Sequence, residues 1–270
     1  MNTVLAGHAV TKFDTAYAHL SRVDDDTPIA GRAIERCESA GKHHLITFSG
    51  DLILRTHMRM NGSWHLYRHG ERWWRGPQAM RVRVDTVDWV AVAFDVPVAE
   101  FVTAKQLAST GPVAALGPDL LKAGFDRDEA IRRLRAAGAL PIAQALLDQR
   151  LVAGIGNVYK SEVLFLAGVH PDTPASAVPR DTMVRIMDIA RALLTDNVAP
   201  GTPAAIQTYR SLRRTGHRSD PPDSLWIYGR AGKPCRQCGT AIESKKTGLD
   251  ARTTYWCATC QATDSQTATD

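Results

Sequence analysis

Four of the five cysteines form two pairs, and their spacing constrains this chain more than any other feature. Two residues separate Cys235 from Cys238, two separate Cys257 from Cys260, and eighteen residues lie between the pairs. Two intervening residues let one tight turn present both sulfurs to a tetrahedral ion, so this spacing is typical of a four-thiolate zinc site. Disulfides are the alternative, which the absence of an export signal in the first residues disfavours. The pattern predicts one structural zinc on a β-hairpin of the ribbon or finger kind.

The positive charge of the chain is concentrated in the same region. The 270 residues carry a net charge of +5, from 33 Lys and Arg against 28 Asp and Glu. Residues 201–260 contain ten of the basic residues and four acidic ones. A solvated basic surface explains this bias, and so does an anionic partner. Beside a predicted zinc hairpin, the bias favours a nucleic acid as the partner.

Composition narrows the class of protein. Hydrophobic residues make up 44% and charged residues 23% of the chain, which are the values of a globular protein. No run of eighteen apolar residues occurs, so we expect no membrane association and a cytoplasmic location.

Residues 1–110 have the alternation of β-strands. Apolar and polar residues alternate over 52–60 and over 80–85, and Asn61-Gly62 is a strong signal for a tight turn. We predict a β-sandwich or β-barrel here, with the lone Cys37 as a buried small hydrophobe.

The pattern becomes helical after Gly111-Pro112. Asp126 opens a helix with acids in its first turn, and Pro141 can start a second one. Two more helices are predicted, from about Val158 to Ala167 and from Asp181 to about Asn197. The predicted organisation is a sandwich over 1–110, a helical domain over 111–205, a basic connecting segment over 206–228, a zinc finger over 229–261 and a disordered tail over 262–270.

A glycine-interrupted turn separates the second predicted helix from the third. Gly154 and Gly156 let the backbone turn sharply and leave amides uncovered, while the following helix contributes its positive end. Asn157 adds a side-chain donor. The glycines alone fit a plain connection between helices equally well. Together with Asn157 and a zinc hairpin downstream, they favour a phosphate-binding site.

These motifs resemble those of one known family. Gly154–Glu162 resembles the helix–two-turn–helix of the formamidopyrimidine-DNA glycosylase and endonuclease VIII family. Residues Ile227–Cys238 and Arg252–Gln261 resemble the zinc finger of that family, and order and spacing agree from about Leu5 to Gln261. The resemblance implies an α+β fold with an N-terminal β-sandwich, a C-terminal helix–two-turn–helix domain and a β-hairpin zinc finger.

The resemblance also implies a function. We expect a base-excision-repair DNA glycosylase with AP lyase (β-elimination) activity on oxidised bases, working as a nucleoid-associated monomer on damaged double-stranded DNA. The sequence Tyr255-Trp256-Cys257 favours the endonuclease VIII branch and oxidised pyrimidines.

In the zinc-finger half, the resemblance implies contacts with the DNA backbone. Asn157 and the amides of Gly154 and Gly156 would hold the phosphate beside the damaged nucleotide. Arg252, at the tip of the zinc hairpin, would bind phosphate as well.

In the sandwich half, the resemblance implies contacts near the lesion. Lys42 matches a family lysine near the abasic site, although a lysine at a strand end can also be a plain surface residue. Arg59, Met60 and Asn61 match the intercalation loop, where Met60 would fill the space left by the flipped base. Met60 fits the role of an inward-facing core residue equally well.

The chain departs from the family at its start. The family begins with Pro-Glu, whose proline amine is the nucleophile and whose glutamate moves protons. This chain begins Met1-Asn2, and Leu5–Thr11 resembles the segment that follows the first family helix. We therefore expect the N-terminal helix and the catalytic pair to be missing, with Lys42 as a possible auxiliary amine.

Two explanations compete for this departure, and an unrelated class of protein is a further alternative. The true start lies upstream and the protein is an active enzyme, which the cost of losing a packed helix favours. Alternatively, the protein is a catalytically inert binder of damaged or abasic DNA. A zinc-ribbon nucleic-acid-binding factor of unrelated origin is the further alternative and the weakest of the three, because a plain ribbon protein has no use for the turn at Asn157.

Overall fold

The computed structural model describes residues 1–59, 61–198, 206–209, 224–248 and 251–262. The chain divides into two compact units, Met1–Ala115 and Leu116–Asp270. The predictions for Met60, for the connecting segment over 210–223 and for the tail beyond 262 lie outside the described residues.

The first unit is a sandwich of two antiparallel sheets. Its strands are β1 (Lys12–Thr15), β2 (Ile34–Ala40), β3 (His43–Phe48), β4 (Leu52–His57), β5 (Ser63–Arg68), β6 (Met80–Asp85), β7 (Trp89–Phe94) and β8 (Val98–Val102). One sheet has the strand order β2-β3-β4-β8 and the other β1-β6-β7-β5. Helices α1 (Asn2–Leu5), α2 (Ala18–Asp26), α3 (Ala104–Ser109) and α4 (Gly111–Ala114) and a 3-10 turn (Pro77–Ala79) complete the unit. The sandwich prediction is therefore confirmed.

Apolar side chains from both sheets meet between them. The fully buried ones include Ile34, Ile46, Leu54, Val82, Val84, Ala91 and Ala93. Successive side chains of a strand point to opposite faces, so this core follows from the alternation read in the sequence. Cys37 is 7% exposed and packs in the same core, which confirms its prediction.

The turn at Asn61-Gly62 joins strands of different sheets. β4 pairs with β3 and β8, whereas β5 pairs with β7, so the chain changes sheets between these two strands. The turn exists, but it does not close the hairpin for which Asn-Gly is the usual signal. Glycine is required for another reason: a Cβ on Gly62 would lie 2.7 Å from the carbonyl oxygen of Met58.

The second unit is helical and ends in a hairpin. It contains α5 (Arg127–Ala136), α6 (Ile142–Ala145), α7 (Asn157–Ala167), α8 (Arg180–Val198), β9 (Glu243–Thr247) and β10 (Arg252–Trp256). Asp126 caps α5 as predicted, because its Oδ1 accepts a hydrogen bond from the Glu129 amide at 2.9 Å. Gly168 ends α7 in the left-handed region, with a φ of 69°.

Helices α7 and α8 enclose the core of this unit. α8 contributes Met183, Ile186, Ala190 and Leu194, which are all buried. α7 is buried on nearly every side, including the polar side chains of Lys160, Ser161 and Glu162. Over the described residues, none of the helices is both long enough and apolar enough to span a bilayer.

Candidate nucleic-acid interface

The four paired cysteines converge on one point. Their sulfur atoms all lie within 4.8 Å of one another. The Sγ atoms of Cys235 and Cys260 are 3.9 Å apart, and those of Cys238 and Cys257 are 3.4 Å apart. A tetrahedral zinc with Zn–S bonds of about 2.3 Å holds its sulfurs about 3.8 Å apart, so the cysteines fit one zinc ion.

Neighbouring polar groups prepare this site for the metal. Hydrogen bonds from Thr240 lower the pKa of Cys238 to about 6, so that sulfur is a thiolate at neutral pH. The buried Gln261 accepts from the Cys257 amide at 2.9 Å and donates to the Val169 carbonyl at 2.7 Å. The second cysteine pair is thereby attached to the end of α7.

The glycine-interrupted turn leads directly into α7. Gly154 has a φ of 112°, which side-chain-bearing residues rarely adopt, and Gly156 caps the helix. The Gln149 side chain holds the turn, accepting from the Gly154 amide at 3.1 Å and donating to the Ile155 carbonyl at 3.0 Å. Asn157 is therefore the first residue of an eleven-residue helix, at its positive end.

Two side chains hold the carboxamide of Asn157. Its Oδ1 accepts a hydrogen bond from Lys160 Nζ at 2.8 Å, and its Nδ2 donates to the Tyr228 hydroxyl at 3.3 Å. The same Lys160 Nζ donates to Thr254 Oγ1 on β10 at 2.7 Å. The structure thus links Asn157 to the zinc hairpin through one buried lysine.

Arg252 is exposed at the start of β10. It lines a depression of about 370 Å³ together with Gln144, Arg150 and Thr247. The Asp148 carboxylate in the same lining pairs with Arg150 at 2.7 Å, so Arg252 is the guanidinium here that is better suited to a phosphate.

A buried carboxylate fixes the chain that enters the zinc finger. Glu162 accepts hydrogen bonds from the backbone amides of Trp226, Ile227 and Tyr228 at 2.8, 3.0 and 2.8 Å, and also from the Thr208 hydroxyl. A carboxylate is the one side chain with enough acceptor sites for all four donors. Sequence reasoning missed the roles of Glu162 and Lys160, although a charged pair inside an otherwise apolar helix was a usable signal.

In the sandwich unit, the predicted site residues lie on two turns. Lys42 is in the turn between β2 and β3, and Arg59 and Asn61 follow β4. The Arg59 amide donates to His57 Nδ1 at 3.1 Å. Burial lowers the pKa of His57, and the nearby charges of Lys42 and Arg59 lower it further. The structure therefore brings Lys42 and Arg59 together around His57, a residue that sequence reasoning did not select.

A polar cluster lies behind this turn. Arg55 is 5% exposed, and it donates to Glu100 Oε1 at 2.7 Å and to His43 Nδ1 at 2.9 Å. The rings of His43 and His57 are 4.8 Å apart. Burial, with a smaller contribution from Arg55, lowers the pKa of His43 to about 4, so this ring is neutral and accepts the hydrogen bond. Simple alternation along β4 would place Arg55 in solvent, but the cluster buries it.

The fold and these sites define a class: a two-sheet sandwich and a helix–two-turn–helix unit that carries a four-cysteine zinc finger. Three family models match in the same order. The formamidopyrimidine-DNA glycosylase N-terminal domain matches residues 1–97, the H2TH domain of that glycosylase matches 116–208, and the zinc finger found in FPG and IleRS matches 232–263.

Curated relatives extend over nearly the whole chain. The chain is 39% identical over 267 residues to the probable endonuclease 8 2 of Streptomyces coelicolor, covering 97% of this chain and 90% of the relative. It is 33% identical to the DNA-(apurinic or apyrimidinic site) lyase Nei2 of Mycolicibacterium smegmatis, covering 97% and 94%. The chain belongs to the formamidopyrimidine-DNA glycosylase and endonuclease VIII family.

Solved structures agree on the fold. Lactococcus lactis Fpg in complex with DNA containing an abasic site superposes with a TM-score of 0.78 at 24% identity, covering 97% of this chain and 95% of that one.

Proposed function

We propose that this protein binds damaged or abasic double-stranded DNA and is a DNA glycosylase with AP lyase activity, specific for oxidised pyrimidines. The observation that carries the proposal is the link between Asn157, at the positive end of α7, and the zinc hairpin that bears Arg252. Both side chains are donors that suit a DNA phosphate. The names of the relatives, endonuclease 8 2 and AP-site lyase, support the reaction and the branch.

The two units would supply different contacts. Asn157, the turn amides at Gly154 and Gly156, and Arg252 would hold phosphates next to the lesion. Phosphate contacts of this kind position a protein on DNA without reading its sequence, which suits an enzyme that recognises damage in any context.

The sandwich would act on the lesion itself. Lys42 and Arg59 carry positive charge on neighbouring turns, and Asn61 lies in the same crossover between the sheets. We assign Met60 the role of the wedge that fills the stack when the damaged base is turned out. The expected location is the nucleoid in the cytoplasm, and the expected state is a monomer.

DNA binding is tested with a duplex that carries a stable abasic analogue. Asn157→Ala and Arg252→Ala should each weaken binding about tenfold or more, because each removes a hydrogen bond to a charged group. The exposed Lys105, on α3, gives a charge-matched control in Lys105→Met, which should change affinity less than about threefold. Unchanged affinity in both site variants would contradict the proposed site.

The lyase step is tested by borohydride trapping on abasic DNA. The reaction needs an unprotonated amine that attacks the sugar carbon and forms an iminium, which borohydride reduces to a stable cross-link. The alternative outcome is a protein that binds abasic DNA without cleaving it. Trapping should be compared for this chain, for its Lys42→Met variant and for any longer form that begins with Pro-Glu.

The outcomes separate the candidates. Cross-linking by the longer form alone supports the enzyme with a proline nucleophile, and cross-linking that Lys42→Met abolishes assigns the amine to Lys42. Tight binding with no cross-link in any form would replace the enzyme by the inert binder. A panel of duplexes with oxidised pyrimidines or purines then tests the substrate class.

A further inference from the structure

Lys160 is a charged side chain with no exposure to solvent, at 0% relative accessibility. Its ammonium meets an amide oxygen and a hydroxyl at 2.8 and 2.7 Å, and the Thr253 carbonyl at 3.5 Å. Within the described part of the chain, no hydrogen-bond partner of this ammonium is a carboxylate. An isolated buried charge is costly, so its position beside Asn157 calls for an explanation.

The hydrogen bonds around Lys160 have only one possible direction. An ammonium group can only donate, so Asn157 Oδ1 and Thr254 Oγ1 both accept from it. The Thr254 hydroxyl then donates its proton to Thr247 Oγ1 at 2.7 Å, because Thr247 uses its own proton on the Arg252 carbonyl at 3.2 Å. An unbroken chain of hydrogen bonds therefore runs from the Asn157 side chain to the backbone of Arg252.

This chain fixes which way the Asn157 carboxamide faces. With Oδ1 held by Lys160, the Nδ2 group lies on the other side, where one of its N–H groups reaches the Tyr228 hydroxyl at 3.3 Å. A flipped carboxamide would direct N–H groups at the ammonium, which has no acceptor. Lys160 thus presents Asn157 as a donor.

We propose that Lys160 is a positioning residue that orients the Asn157 amide toward a DNA phosphate and couples it, through Thr254 and Thr247, to the strand carrying Arg252. The proposal rests on the proposed function, in which Asn157 and Arg252 bind phosphate. The two contacts then form one preorganised site, and the buried ammonium adds positive potential where the phosphate binds.

The protonation of Lys160 provides a readout that a purely structural role would not move. Burial, with a smaller contribution from Arg252, lowers the pKa of Lys160 to about 8. Around it, burial raises the pKa of Tyr159 to about 12 and also raises that of Tyr255, so both stay neutral up to pH 9. Tyr228 accepts a hydrogen bond from the Asn157 carboxamide, and Glu162, two residues further along α7, accepts from the Tyr228 amide.

A double-mutant cycle measures the coupling. Affinity for the stable abasic-analogue duplex is compared for the wild type, Lys160→Met, Asn157→Ala and the double variant, with Lys105→Met as the charge-matched control. Lys160→Met should bind about tenfold more weakly and keep one zinc per chain. In the Asn157→Ala background, the same substitution should cost less than about threefold, because there is no longer a carboxamide to orient and only the buried charge and the link toward Arg252 are lost.

Two further measurements distinguish a specific loss of affinity from a loss caused by misfolding. Wild-type affinity should fall as pH rises through 8, whereas the affinity of Lys160→Met should not change between pH 7 and 9. Thr254→Val, which keeps the lysine but breaks the chain toward Arg252, should weaken binding severalfold, and Thr254→Ser should restore it.

The outcomes test two points, the role of Lys160 and the proposed phosphate site. Full affinity in Lys160→Met, additive effects in the cycle, or full affinity in Thr254→Val would each overturn the role of Lys160. Wild-type affinity in both Asn157→Ala and Arg252→Ala would instead overturn the proposed phosphate site, and the role of Lys160 with it.

Discussion

The two units hold their candidate DNA-binding side chains in different ways. In the sandwich, Lys42 and Arg59 lie on turns whose strands are held by an apolar core between two sheets. In the second unit, Asn157 and Arg252 depend on a metal site and on buried polar groups. An apolar core tolerates changes that conserve volume, whereas a buried polar network depends on each atom of each group. The second unit should therefore lose function sharply, and the sandwich gradually.

The largest contrast is expected between two cysteines. Cys257→Ala should lose the metal, unfold the hairpin and abolish tight DNA binding, because structural zinc supplies about 10–16 kcal/mol to such folds. Cys37→Ala, in the sandwich core, should keep one zinc per chain and lower the free energy of unfolding only modestly. Metal analysis and binding to an abasic duplex check both. Stoichiometric zinc in Cys257→Ala would disprove the assignment of ligands.

A cavity in the sandwich should affect stability alone. Leu54 is fully buried, so Leu54→Ala should lower the free energy of unfolding by about 2–5 kcal/mol while the zinc content stays unchanged. Val87, at 73% exposure, provides the surface control Val87→Ala, with an expected change within about 0.5 kcal/mol. Urea denaturation measures both. Similar values for the two variants would refute the description of this core.

The carboxylate of Glu162 tests how strongly the second unit depends on its buried polar network. Glu162→Gln keeps the shape but brings an NH2 group toward backbone donors, so the free energy of unfolding should fall by about 2–3 kcal/mol. DNA affinity should fall as well, because the chain entering the zinc finger loses its anchor. Glu243→Gln, on the exposed face of β9, is the control and should change neither quantity. If Glu162→Gln changed neither the free energy of unfolding nor the DNA affinity, packing alone would position the zinc finger.

The smallest expected effect is a pH dependence of the stability of the sandwich. His43 is neutral in the fold, with a pKa lowered to about 4, chiefly by burial. In the unfolded chain its pKa is about 6.5. The unfolded state thus binds more protons between these values, so stability is complete above pH 6.5 and declines as pH falls toward 4. His43→Gln should reduce this slope in urea denaturation at several pH values. An unchanged slope would assign the dependence to other groups.

The parts of the molecule predicted from sequence are those set by local rules. Cysteine spacing defined the zinc site, Asp126 marked the start of a helix, and alternating apolar residues defined the strands. Each of these signals lies within a few residues and reports a single physical requirement.

What the sequence did not reveal depends on contacts between distant segments. Lys160 and Glu162 look like surface residues until β10 and residues 226–228 supply their partners. Arg55 is buried against the rule of alternation because Glu100 and His43 accept its hydrogen bonds. Asn61-Gly62 signals a turn, yet no local feature reports that the chain changes sheets there.

The free edges of the sandwich bear on how the molecule behaves at high concentration. An uncovered strand edge offers unpaired backbone groups to a neighbouring molecule and invites aggregation. Along β2, the N-terminal residues pair with such groups. The Cys37 amide donates to Asn2 Oδ1 at 2.7 Å. The Ile34 carbonyl accepts from the Gly7 amide at 2.8 Å, and the Ile34 amide donates to the His8 carbonyl at 2.9 Å. The edge strand β1 carries the charged pair Lys12 and Asp14. The covered edge at β2 and the charged edge at β1 therefore oppose strand-to-strand assembly at these two strands, even where molecules are crowded.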